Sequence, residues 1–152
     1  MKKISLFLFI AITMLNCKNN EKKVDKSIVE TDKKEIDTLD LGCYIFNDGK
    51  NTVTLEIIEM GTNIKGNLTY LLAEKDKNSG TFTGQLKGNI LTGTYTFESE
   101  GSQSSREVAF KVDNNTLIEG YGALDNSGTT FKNPNNLNFT SKMPLTKMDC
   151  QK

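Results

Sequence analysis

The residues able to do chemistry in this chain are few, and the most suggestive is its only arginine, Arg106. The chain has three cysteines and no histidine, so the Ser–His and Cys–His pairs that activate a nucleophile are absent. Without histidine, the cysteines alone do not make an ordinary zinc site. We therefore predict a protein that is not an enzyme and that uses no metal or cofactor.

Arg106 follows a predicted turn at Gly101-Ser102 in the stretch FESEGSQSSREVAF. That turn would put Arg106 on the inward face of a hairpin, opposite Phe97, with Ser99 facing Ser104.

The predicted ligand site combines this guanidinium with aromatic side chains: Arg106, Tyr70, Tyr95 and Phe97. A carboxylate or a lipid headgroup would suit the guanidinium. The alternative role for Arg106 is a structural ion pair with a nearby acid, Glu98, Glu100 or Glu107.

The overall charge excludes one class of partner. Basic and acidic residues number 19 each, so the net charge is zero. Such a chain has no field that would attract nucleic acid, and one arginine is fewer than a phosphate-reading surface usually employs. We predict no nucleic-acid partner.

The N-terminus has the parts of a secretory signal. Met1-Lys2-Lys3 is basic, Ile4–Leu15 is uncharged, and Cys17 follows directly. This apolar run is too short for a membrane-spanning helix, which needs about 20 residues. The segment resembles a bacterial lipoprotein signal, with Met14 and Asn16 where that pattern usually has leucine and a small residue. The resemblance implies that residues 1–16 are a removable signal helix and that Cys17 carries lipid.

Residues 18–40 hold six lysines and seven acidic residues, with few apolar ones. Such a composition buries too little surface to fold, so we predict that residues 17–40 form a lipidated, flexible tether. The mature chain would carry 17 basic and 19 acidic residues. Cys17 and this tether are similar to those of Bacteroidota lipoproteins, which implies anchoring to the outer membrane. The periplasmic and surface faces both remain open.

From Leu41 onward, apolar and polar residues alternate with the period of a β-strand. Four glycine-containing pairs predict two-residue turns: Asp48-Gly49, Gly61-Thr62, Gly88-Asn89 and Gly101-Ser102. The resulting cross-strand pairs include Tyr44–Val53, Leu55–Leu68, Ile57–Gly66, Leu86–Leu91, Gly84–Gly93, Phe82–Tyr95 and Tyr95–Val108. Every turn keeps the same face inward, as a meander around one core requires.

The later strands are less well defined by their sequence. A turn at Asn114-Asn115 leaves two inward sets open, either Ile118, Gly120, Gly122 and Leu124 or the residues alternating with them. SGTTFK and LNFT read as short strands, and MPLTKM as the last. We predict an all-β antiparallel meander of about eight strands over residues 41–152. Closure into a barrel would remove exposed edges, and an open sandwich is the alternative.

The remaining two cysteines fit a closed barrel. Cys43 lies in the first predicted strand, off the core face, and Cys150 lies near the C-terminus. The first and last strands of a closed meander are neighbours, and the cell envelope is oxidising. We therefore predict a Cys43–Cys150 disulfide.

The region from LGCYIF to MDC resembles the calycin-like barrels, the lipocalins and their small bacterial relatives. Gly42-Cys43-Tyr44 is similar to the Gly-x-Trp start of lipocalins, with tyrosine in place of tryptophan and one residue earlier. The resemblance implies a barrel and an envelope location. We predict a monomeric envelope lipoprotein that binds a small apolar or amphipathic molecule, in a cavity that a packed interior would exclude. The alternative is a protein-interaction module, an inhibitor or an envelope assembly factor, that acts through its loops.

Overall fold

Eight antiparallel strands make up most of the chain that the computed structural model describes, residues 38–99 and 101–150. The strands are β1 (Gly42–Asn47), β2 (Thr52–Glu59), β3 (Ile64–Leu71), β4 (Asn78–Lys87), β5 (Ile90–Ser99), β6 (Ser102–Asp113), β7 (Thr116–Gly120) and β8 (Leu145–Met148). Each pairs with the next, and β8 pairs with β1, so the sheet closes. The predicted up-and-down barrel is confirmed.

The predicted signal peptide, Cys17 and the tether up to residue 37 lie outside the described residues. Within the described ranges, no helix has the length and apolar character needed to cross a bilayer.

The predicted inward face is the core face. Alternate residues of β2 and β3 are buried, as are Phe82, Leu91 and Tyr95 of β4 and β5. These side chains form one apolar cluster that fills the barrel axis. Burial of this face accounts for the period-two pattern, because residues of one parity point inward along every strand.

The barrel has two unlike ends. The closed end is the one at which the chain enters, where Leu39 is buried in the core cluster and Asp40 bonds through its backbone to the Tyr44 hydroxyl. Lys147 lies with its ammonium nitrogen 4.8 Å from the centre of the Tyr44 ring. The opposite end, which we call the mouth, is formed by loops 48–51 and 72–77 and by the long segment 121–144. Leu39 shows that the core begins within the residues assigned to the tether.

Three of the predicted registers agree with the structure. Leu55 pairs with Leu68 and Ile57 with Gly66, as expected for the second hairpin. Across β4 and β5, the three predicted pairs Leu86–Leu91, Gly84–Gly93 and Phe82–Tyr95 are all present. The turn at Asn114-Asn115 is also present, because Asp113 pairs with Thr116.

Two predicted registers are wrong by two residues. In the first hairpin, the Asp48 carboxylate accepts hydrogen bonds from the amides of Lys50 and Asn51 at 2.9 and 2.7 Å. That cap favours a four-residue loop over a two-residue type I′ turn, so Tyr44 pairs with Leu55 rather than with Val53.

Between β5 and β6, Ser99 pairs with Ser102, so Ser102 belongs to the strand rather than to the predicted Gly101-Ser102 turn. Gly101 takes a positive φ of 75°, which glycine adopts readily. Tyr95 consequently faces Arg106 instead of Val108, and Phe97 faces Ser104 instead of Arg106. An error of two residues preserves the parity of the strand, so the inward set is unaffected.

After the turn at Asn114-Asn115, the inward residues are those that alternate with Ile118 and Gly120. Leu117 and Glu119 of β7 are buried, while Gly120 faces outward and lies beneath Phe139, whose ring atom would be 2.5 Å from an added Cβ. Segment 121–144 folds back over the outside of β6 and β7. The stretches SGTTFK and LNFT contribute only single bridges, Leu124–Phe131 and Tyr121–Asn138, rather than strands.

Glu107 fastens this segment to the barrel wall. Its backbone amide donates to the carbonyl of Thr129 at 2.7 Å, and its carboxylate accepts from the amide of Phe131 at 2.7 Å.

A disulfide joins Cys43 to Cys150, with their Cα atoms 5.1 Å apart and 107 residues of separation. The predicted pairing is confirmed. It ties β1 to the C-terminal end at the closed end of the barrel.

Candidate ligand-binding site

Arg106 lies on the inner face of β6 near the mouth, surrounded by aromatic rings. Its guanidinium carbon is 5.2 Å from the ring centre of Tyr70, 5.8 Å from that of Tyr95 and 5.6 Å from that of Phe97. These distances are within the range of cation–π attraction. The Tyr95 and Phe97 rings stack on each other, with centroids 4.7 Å apart. The structure thus brings together all four residues of the predicted site.

Glu119, from β7, adds a buried carboxyl group that the sequence-based prediction did not include. Its side chain is only 8% exposed and accepts a 2.8 Å hydrogen bond from the Tyr70 hydroxyl. The Tyr121 hydroxyl lies 3.3 Å from the other carboxylate oxygen and also 3.3 Å from Ser141. The acid therefore has polar partners on two sides, as a buried carboxyl group requires.

Burial dominates the electrostatics of this group of residues. Desolvation raises the pKa of Glu119, although the hydrogen bond from Tyr70 and the charge of Arg106 oppose the rise. Desolvation also raises the pKa of Tyr70 well above its ordinary value, and the negative charge of Glu119 adds to the effect. Desolvation also raises the pKa of Tyr95, to about 12, although the positive charge of Arg106 opposes the rise. Burial therefore disfavours the ionised forms of Glu119 and of the two tyrosines beside the Arg106 guanidinium.

Arg106 does not form the predicted structural ion pair with the acids whose side chains are described. Across residues 38–99 and 101–150, the one salt bridge joins Lys65 to Glu59 at 2.9 Å. Glu98 is exposed on the outer face, and Glu107 is engaged with Phe131. Glu100 lies outside the described residues.

Two side-chain polar atoms are buried without a hydrogen-bond partner among the described residues. They are the side-chain oxygen of Asn78 and the hydroxyl of Tyr95. Asn78 lies directly across from Tyr70 in the β3–β4 ladder. A buried polar atom without a partner costs about 1–3 kcal/mol, so such atoms near a cavity indicate a missing ligand or water.

A cavity of about 350 Å³ opens at the mouth beside these groups. Its lining includes polar and charged side chains from four strands or their ends, Tyr70, Asn78, Arg106, Glu119 and Tyr121, together with apolar side chains such as Leu72, Leu124, Phe131 and Met143. The volume is at the lower end of the range for small-molecule sites. The sequence left open a packed interior or a cavity. The structure has a packed apolar core along most of the barrel and a cavity at the mouth.

A second depression, of about 630 Å³, lies on the outside of the barrel between β4, β5 and segment 131–139. Its lining combines polar side chains such as Thr83, Gln85 and Asn135 with apolar ones such as Leu137 and Phe139.

A metal site at the closed end is disfavoured by the disulfide. Potential ligand atoms of Cys43, Glu56 and Cys150 lie within 4.8 Å of one another. However, both sulfurs are in the disulfide, and the thiolate is the form of cysteine that binds metals.

The residues missed from the sequence lie where its strand pattern is weakest. The inward set of β7, which includes Glu119, remained open, Tyr121 directly follows that strand, and Asn78 begins β4. The alternation of Leu117, Glu119 and Tyr121 is itself a strand signal, but the set with the two glycines was equally compatible with an inward face.

Comparison with family models, with curated proteins and with solved structures finds no match to this chain. The likeness to lipocalins therefore rests on the eight-stranded closed antiparallel barrel itself.

Proposed function

We propose that this protein is a non-enzymatic binding protein of the cell envelope, which holds a small amphipathic molecule at the mouth of its barrel. The observation that carries the proposal is the position of Arg106, a guanidinium among three aromatic rings that borders an open cavity. Its charge suits an anionic headgroup, and the apolar part of the lining suits a short hydrocarbon chain.

The surroundings of Arg106 support an anionic rather than a cationic head. Among the described residues its guanidinium forms no salt bridge, and desolvation, which raises the pKa of Glu119, works against ionisation of the nearest buried acid. A carboxylate ligand would supply the missing negative charge. The raised pKa alone is also a property of catalytic acids, but the only other carboxylate in the described cavity lining is Glu107. Glu107 is held at the wall by Phe131.

The envelope location is part of the proposal and rests on the N-terminal sequence. Residues 1–16 would be removed, Cys17 would carry lipid, and the charged tether would hold the barrel away from the outer membrane. The disulfide supports an oxidising compartment. Incorporation of labelled palmitate into the wild-type chain, and not into Cys17→Ser, is the expected result.

The binding experiment uses decanoate as the probe and residues 17–152 carrying Cys17→Ser, so that no attached lipid competes. Isothermal titration calorimetry should give saturable binding to this chain. Arg106→Met should weaken it about 10- to 100-fold, because a hydrogen bond to a charged group contributes about 1.5–3 kcal/mol.

Lys111→Met is the matched control, because it removes a positive charge from the outer face of the same strand. It should leave the affinity within about twofold. Equal binding by Arg106→Met and the parent chain would overturn the assignment of the headgroup to Arg106.

A protein-interaction module is the second candidate. It is supported by the outer groove of about 630 Å³ and its mixed polar and apolar lining. A chain that binds no amphiphile but captures an envelope protein through this groove would favour that function.

A further inference from the structure

The unpartnered side-chain oxygen of Asn78 indicates which hydrogen-bonding group the ligand carries in addition to its charge. The Asn78 side-chain oxygen accepts hydrogen bonds and does not donate them. It borders the same cavity as Arg106, and its backbone lies across from that of Tyr70, whose ring is 5.2 Å from the guanidinium carbon. Asn78 and the cation therefore line one cavity, and the Asn78 oxygen has no donor among the described residues.

No described protein group supplies that donor. The Tyr70 hydroxyl donates to Glu119, and the Tyr121 hydroxyl is taken up by Glu119 and Ser141. A plain fatty acid does not supply it either, because an ionised carboxylate only accepts hydrogen bonds. A ligand complementary to this mouth would carry an anionic group for Arg106 and, close to it, an N–H or O–H for Asn78.

We propose that the ligand is an amide-bearing amphiphilic carboxylate of the N-acyl amino acid class, with its carboxylate at Arg106 and its amide N–H donating to Asn78. This inference rests on the proposed function and specifies its ligand. The acyl chain would lie against the apolar lining, which includes Leu72, Phe131 and Met143. The amide connects an anionic head to a hydrocarbon chain and places its donor next to the head, which suits a cavity lined by both Arg106 and Asn78.

The experiment compares two ligands that differ only in the donor. N-decanoylglycine has an amide N–H, and N-decanoylsarcosine has a methyl group in its place. By calorimetry on residues 17–152 with Cys17→Ser, the glycine compound should bind at least about tenfold more tightly. In Asn78→Leu, the glycine compound should bind no better than the sarcosine compound.

Asn67→Leu is the matched control. Asn67 lies on the outer face of β3 and donates to Glu56, so its removal should leave the discrimination between the two ligands intact. Asn78→Asp keeps an acceptor at the site and should retain the discrimination at lower overall affinity. It serves as the second variant if Asn78→Leu fails to fold by circular dichroism.

The outcomes separate the two proposals. Tight binding of decanoate with equal affinity for the two amides would overturn the role of Asn78 and leave the amphiphile site standing. Persistence of the discrimination in Asn78→Leu would overturn it as well. Failure of all three compounds to bind would overturn both proposals.

Discussion

Glu119 is the residue on which the electrostatics of the mouth depend. It is a carboxyl group at 8% exposure between two tyrosine hydroxyls, one at 2.8 Å and one at 3.3 Å. Hydrogen bonds of this kind keep the polar group tolerable in the interior, but they do not remove the cost of ionising it there.

The raised pKa of Glu119 predicts a pH-dependent stability. Desolvation makes the folded protein hold this proton more tightly than the unfolded chain does, so the stabilising contribution is complete below the ordinary value of 4.5 and is lost as the pH rises through the folded pKa. Glu119→Gln cannot ionise. Its free energy of unfolding relative to wild type should therefore increase from acidic to neutral pH.

Urea denaturation at a series of pH values measures this difference. A difference that is constant with pH, or that decreases toward neutral pH, would contradict the predicted burial of the charge.

Tyr70 and Tyr95 make a matched pair with opposite expectations. The Tyr70 hydroxyl donates to buried Glu119, so Tyr70→Phe should destabilise the protein by about 1–3 kcal/mol. The Tyr95 hydroxyl is buried without a partner among the described residues, so Tyr95→Phe should stabilise the empty protein by about 1 kcal/mol or more. Chemical denaturation in the absence of ligand compares the two, and an equal loss in both variants would show that Tyr95 has a partner.

At the scale of strands, much of the fold could be predicted because the parity of each strand is more robust than its register. The β1–β2 and β5–β6 hairpins both pair two residues away from the predicted register, yet each hairpin kept its inward set. Loop length depends on side-chain caps such as that of Asp48 on Asn51, which the dipeptide pattern does not contain.

Which residues of β7 face inward could not be predicted from the sequence, for a different physical reason. Gly120 and Gly122 are compatible with an inward face. They are equally compatible with an outward face that another segment covers. The structure uses the second option, with Phe139 against Gly120 and Leu137 against Gly122. That covering segment is irregular, so its sequence carries no periodic signal. Glu119 could not be assigned to the site before its position was known.

Glycines on adjacent strands allow β4 and β5 to approach closely around Phe82. A Cβ on Gly93 would lie 2.5 Å from the Cα of Gly84 and 2.7 Å from a ring carbon of Phe82. Gly93→Ala should therefore lower the free energy of unfolding by about 1–3 kcal/mol, as overpacking usually does. Thermal or urea denaturation provides the measurement.

Gly61→Ala is the control for that substitution. An added Cβ there meets nothing nearer than the Asn63 carbonyl at 3.8 Å, so the change should stay within about 0.5 kcal/mol. A Gly93→Ala variant as stable as Gly61→Ala would show that the two strands can separate at little cost.

Across the whole molecule, the two ends of the barrel differ. The chain enters at the closed end, where Leu39 fills the core and the disulfide joins β1 to the C-terminal residues. The mouth with Arg106 and Glu119 lies at the other end of the strands. The first described residues and the proposed binding site therefore lie at opposite ends of the barrel.

The disulfide should be a large contributor to the stability of the barrel. It closes a loop across a separation of 107 residues, for which the chain-entropy model gives about 4–5 kcal/mol. Cys150→Ala should lose about that much, and reduced wild-type protein should match it in urea denaturation. Cys17→Ser should leave the free energy of unfolding unchanged. A loss below about 1 kcal/mol in Cys150→Ala would show that the closed end holds without the bridge.

The central claim, that an anionic amphiphile docks on Arg106, has a direct test because this is the only arginine in the chain. In a ¹H–¹⁵N correlation spectrum, one cross-peak from an arginine Nε–H group reports on the site without further assignment. Titration with decanoate should shift that cross-peak saturably, with the same dissociation constant as calorimetry. A cross-peak that stays in place while decanoate binds, or a chain that binds no decanoate, would contradict the account.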